Sequence, residues 1–113
     1  METKEEQKAR GRRFAEQRRN AAPKADRAFS EFGKAVFADG ALPAKTKQII
    51  AVAAAHVTQC PWCIKGHTRA ALRAGATREE LMEAIWVAAE MRAGAAFAHA
   101  ALTMEAIEES GGD

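Results

Sequence analysis

A chain of 113 residues fits one domain, or one domain with a tail, and its 48% hydrophobic and 28% charged residues exclude a low-hydrophobicity disordered polymer. The net charge of +2 is too slight to argue for nucleic acid, and no apolar run nears the roughly 18–20 residues that a bilayer span needs. No signal-peptide pattern is visible, so a cytoplasmic location is expected; two cysteines cannot staple a secreted fold, and a close pair reads as catalytic or metal-binding.

Alanine supplies about a quarter of the chain, Tyr is absent, Pro is scarce, and no Asn-Gly or Asp-Gly hairpin signal occurs. An all-α fold follows. Residues 1–21 read as a basic arm: in the first 20 positions seven Lys/Arg stand against four Glu, and Phe14 is the only large apolar residue after Met1. The expectation there is a solvated helix, with weak contact to nucleic acid or an acidic partner as the rival reading.

Residues 22–109 form the predicted helical domain. Its first helix begins near Pro23 and runs to Asp39, before Gly40, with Phe29, Phe32, Val36 and Phe37 as the buried stripe. Leu42 and Pro43 open another, with Ile49, Ile50, Ala53, Ala54 and Val57 at helical spacing and an end near Gln59. Pro61 suits the first position of the next helix, which Gly75 stops. Thr77 and Glu80 form a capping box for the last helical region, which Gly94 divides in one reading. Met82, Trp86 and Met91 read as packing residues, and residues 110–113 as a flexible tail. Five or six alanine-rich helices bury little area each, so a homo-oligomer is expected.

The chemistry lies in Cys60-Pro61-Trp62-Cys63-Ile64-Lys65-Gly66-His67. With helix starting at Pro61, Cys60 is the N-cap and Cys63 lies in the first turn, where the helix dipole favours thiolate. Three-residue spacing at a helix start allows the two sulfurs to bond. Cys63 and His67 are four apart and share a face, so the imidazole can take or return a thiol proton. Two rival readings stand beside this redox dithiol. One is inert packing. The other is zinc held by Cys60, Cys63 and His67 with a fourth ligand from His56, His99 or another subunit.

With its flanks, Leu42-Pro43-Ala44-Lys45-Thr46-Lys47 before and Gly75-Ala76-Thr77-Arg78-Glu79-Glu80-Leu81 after, this segment resembles the alkylhydroperoxidase D-like branch of the carboxymuconolactone decarboxylase family. The resemblance spans roughly residues 22–108. It implies a helical bundle assembled as trimers or hexamers, and a peroxidase or disulfide reductase that reduces small hydroperoxides with an external dithiol reductant and no bound cofactor. By the same resemblance Cys63 attacks the peroxide, Cys60 resolves the sulfenic acid to a disulfide, and His67 relays the proton. The resemblance places a Glu twelve residues before the first cysteine, where this chain has Gln48; slower turnover is expected unless a carboxylate such as Glu90 substitutes. Trp62 stands where some members carry His, and adds an apolar wall. His56, two turns after Gln48, is a candidate for the outer part of the site, with packing as its rival; His99 is a weaker one. A lactone decarboxylase-type enzyme and a non-catalytic oligomeric scaffold remain the alternative functions.

Overall fold

The computed structural model describes residues 1–112, which form six helices and no strand. They fall into two compact units, the first Met1–Ala38 and the second from Asp39 onward. In the first, α1 (Lys4–Ala21) opens with a reciprocal capping box: Glu6 N–H donates to the Thr3 hydroxyl at 3.1 Å, and Thr3 N–H donates to the Glu6 carboxylate at 2.7 Å. Its side chains are almost all exposed, as a solvated charged helix requires.

Helix α2 (Pro23–Phe37) has its proline in the first turn, where the missing N–H costs nothing. It stops at Phe37, short of the expected Asp39. The Asp39 carboxylate instead accepts the Ala44 N–H at 2.7 Å and so closes the loop into the next helix. The expected buried stripe on α2 is also corrected. Phe29 is 76% exposed and Phe32 64%, with Val36 exposed and Phe37 half-buried. Within this unit α2 faces only α1, and a helix whose one large apolar residue in the middle is Phe14, itself exposed, offers nothing to bury a row of phenyl rings against.

The second unit holds α3 (Ala44–Thr58), α4 (Pro61–Arg73), α5 (Arg78–Ala98) and α6 (Ala100–Glu109). Helix α3 is the hub and packs on both α4 and α5. The core is small: Val52 from α3, Ala71 from α4, Leu81 from α5 and Ala76 from the α4–α5 turn, with Ile49 and Ile85 packed on it. That turn is built by Gly75 at φ +98, whose left-handed backbone lets Gly75 N–H reach the Leu72 carbonyl and Ala76 N–H the Ala71 carbonyl. The turn thereby drives Ala71 and Ala76 together into the core.

Gly94 does not divide α5. The break falls at His99, whose ring Nδ1 meets the Ala95 carbonyl at 2.6 Å while its backbone N–H reaches the same oxygen. One carbonyl serving both donors disturbs the ladder there. The reading of Met82, Trp86 and Met91 as packing residues is corrected too: Trp86 is 75% exposed and both methionines are exposed, because α3 covers only one flank of α5. Ser110 caps α6 through N–H to the Ala106 carbonyl, and Gly112 N–H returns to the Ile107 carbonyl; the final residue of the expected tail lies outside the described residues.

Two helix starts are tied by one carboxylate. Thr77 and Glu80 form the expected capping box of α5, and Glu80 also meets Lys45 of α3 at 3.1 Å. The Thr77 backbone hydrogen bond, then Lys45, hold the Glu80 carboxyl below its ordinary range. A depressed carboxylate contributes stability that is present above its unfolded pKa and is lost as pH falls through the folded one. Glu80→Gln should therefore lower stability at neutral pH and flatten the loss of stability on acidification below about pH 4.5, measured by urea midpoints across pH. Parallel pH profiles for the two proteins would show that this tie contributes nothing.

Candidate active site

The site is made at the corner where α3 hands over to α4. Helix α3 ends on Gln59, which takes the left-handed conformation at φ 58 and ψ 46, uncommon for a residue with a side chain. This lets Cys60 N–H donate back to the Ala55 carbonyl at 3.1 Å, fixing Cys60 at the first position beyond the reversal. Nothing in the local sequence marks Gln59 as a left-handed residue, and sequence reasoning misses it. Gln59→Gly should raise stability by about 1 kcal/mol by removing the side-chain clash of that conformation. A denaturant midpoint that falls would refute this.

Cys60 then caps α4. Its Sγ accepts the Cys63 N–H at 3.2 Å, where Ser or Asp would ordinarily supply oxygen, and Pro61 takes the first helical position. Cys60 and Cys63 are joined as a disulfide with Cα atoms 5.2 Å apart, and both residues are half-buried. The spacing allows the two sulfurs to bond, and here they are bonded. Trp62 between them is 83% exposed.

His67 follows Cys63 by one turn on the same face of α4. Its Nδ1 lies 2.8 Å from Oε1 of Gln48 on α3, with both residues half-buried. An amide oxygen only accepts, so Nδ1 carries the hydrogen of this contact. Gln48 thus orients the imidazole and selects its tautomer without lending it a charge.

The other candidates go elsewhere. His56 Nδ1 is 2.8 Å from the Val52 carbonyl of its own helix, and His99 marks the α5–α6 break. Glu90 is exposed on α5. The two sulfurs are committed to each other, and among the described residues no three His, Cys, Asp or Glu side chains gather as a metal site requires. One contributor has no sequence signal at all: Arg92 of α5 donates from its guanidinium to the Val57 carbonyl in the last turn of α3.

The family model of the carboxymuconolactone decarboxylase family matches residues 23–106, a stretch that holds the cysteine corner, His67 and Gln48. The chain belongs to this family. A carboxymuconolactone decarboxylase family protein from Legionella pneumophila, solved by crystallography, is 39% identical and superposes with a TM-score of 0.69 over 90% of each chain. A protein from Methanobacterium thermoautotrophicum, 37% identical, gives a TM-score of 0.70 over 74% of this chain and 94% of its own. Among curated sequences, an uncharacterized protein in the cox locus of Paracoccus denitrificans is 64% identical over 87 residues, 77% of this chain and 78% of its own length.

Proposed function

We propose that this family member is a thiol peroxidase and disulfide oxidoreductase of the alkylhydroperoxidase D-like kind, acting on small hydroperoxides through Cys60 and Cys63. The observation that carries the reading is the disulfide capping α4 one turn from an imidazole whose tautomer Gln48 selects. In the reduced protein His67 Nε2 takes the Cys63 proton, and the thiolate attacks the terminal peroxide oxygen. The O–O bond breaks, the alkoxide leaves as alcohol with the proton from His67, and Cys63 becomes a sulfenic acid. Cys60 attacks that sulfur and expels water, closing the disulfide. An external dithiol then supplies two electrons and two protons to reopen it.

The partners in this reading are the hydroperoxide, the dithiol reductant and further copies of the chain in a trimer or hexamer. Self-association is supported by the exposed apolar side chains Trp86, Val87, Met91 and Phe97 along α5 and Leu102 and Met104 along α6, more than a monomer of this size normally leaves open. No helix among the described residues is long and apolar enough to cross a membrane; a cytoplasmic location is part of the proposal.

Counting thiols tests the redox core. After reduction and removal of reductant, one equivalent of a small hydroperoxide should consume both thiols of each chain. Two thiols surviving an excess of peroxide would end this reading and leave lactone decarboxylation or a scaffold role.

A further inference from the structure

Cys60 lies between two helix ends of opposite sign. Behind it is the C-terminus of α3, closing on Thr58; ahead is the N-terminus of α4, beginning at Pro61. Each end carries roughly half an elementary charge, negative behind and positive ahead, so at Cys60 the two oppose each other. The last carbonyls of α3 have no partners within the helix and are the source of the negative end.

These carbonyls are covered unequally. Ala55 receives the N–H groups of Gln59 and Cys60 and, at 3.4 Å, the Thr58 hydroxyl, all neutral donors. Val57, nearer the corner, receives the guanidinium of Arg92, reaching in from α5 across 35 residues of sequence. A whole positive charge thus sits on the end of α3 that disfavours an anion on either sulfur of the pair. The positive end of α4, expressed by the Cys63 N–H aimed at Cys60 Sγ, is left to dominate.

We infer that Arg92 is a positioning residue that sets the redox balance of the Cys60–Cys63 pair, favouring the reduced form by offsetting the negative end of α3. The inference deepens the proposed dithiol cycle and rests on it. The disulfide is neutral and gains nothing from the guanidinium, whereas a thiolate formed in the reduced pair gains from the offset of the negative end of α3. Stabilising only the reduced state makes the pair easier for a dithiol to reopen.

The test equilibrates the full chain with glutathione buffers at pH 7 and counts thiols by alkylation. Two glutathione thiols give two electrons and two protons, the Cys60–Cys63 bond breaks, and one glutathione disulfide forms. Arg92→Gln keeps an N–H donor and removes the charge. It should shift the equilibrium toward the protein disulfide by roughly two- to fivefold, about 9–21 mV at ~30 mV per tenfold. Arg92→Lys should stay near the wild-type value. Should the glutamine variant lose helicity, wild type in 1 M salt supplies the second arm, with screening expected to move the equilibrium the same way. A glutamine variant that is folded and unshifted, a lysine variant shifted as far as glutamine, or a salt-insensitive wild type in the second arm overturns the inference. Thiols indifferent to peroxide but responsive to Arg92 charge would sink the peroxidase reading alone.

Discussion

Replacing Cys63 by serine is expected to reduce hydroperoxide turnover at least ~10³-fold, to the background of a peroxide assay coupled to a dithiol reductant. The hydroxyl is a far weaker nucleophile toward a peroxide oxygen than the thiolate, and a serine cannot form the sulfenic acid that the cycle needs. The two cysteines should not behave alike, however. Cys63 shares the face of His67, while Cys60 is the cap of α4. Cys60→Ser should still consume close to one equivalent of peroxide per chain, trapping a sulfenic acid on Cys63 that a dimedone probe labels, and then stop. Cys63→Ser should give neither the burst nor the label. A burst in Cys63→Ser and none in Cys60→Ser would exchange the two roles. Equal turnover in wild type and both variants would remove the thiols from the chemistry.

Gln48→Glu is expected to raise peroxide turnover by roughly 10- to 100-fold, the range that a histidine's supporting partner commonly contributes. Exchanging a partner that imposes the wrong tautomer can cost more, but the 2.8 Å contact from His67 Nδ1 to Gln48 Oε1 already selects the right one. Only the charge is missing. A carboxylate at the same distance would stabilise the imidazolium that forms when His67 accepts the Cys63 proton, so the gain should lie in the oxidation step and appear as faster thiol loss under stoichiometric peroxide. The His67 titration, followed by NMR, should move upward in the same variant. A raised titration with unchanged thiol loss would place His67 outside the rate-setting step; no change in either would mean that the carboxylate does not meet the ring.

The elements of this chain were legible from short-range chemistry. Pro23 and Pro61 occupy first turns, Thr77 and Glu80 close a capping box, and Gly75 takes the left-handed turn after α4, all as the residues alone require. That the two sulfurs can meet was legible for the same reason, since a separation of three at a helix start brings them within reach, while the bond itself is shown by the structure. Elsewhere, local signals misled. Gly94 was a plausible divider because glycine weakens a helix, yet the ladder broke at His99, where a ring competes for the Ala95 carbonyl.

By itself, then, the sequence determined the helical stretches and a dithiol cap with an imidazole one turn on, because capping, helical period and i to i+4 proximity act within a few residues. Only the tertiary structure decided which apolar stripes are buried, leaving Phe29, Phe32 and Trp86 exposed while Val52, Ala71 and Leu81 form the core. It alone decided that Gln48 grips His67 from 19 residues away and that Arg92 reaches Val57 from 35. Such partnerships depend on how α3 lies against α4 and α5, and helical period records which side of a helix is apolar without recording what comes to face it.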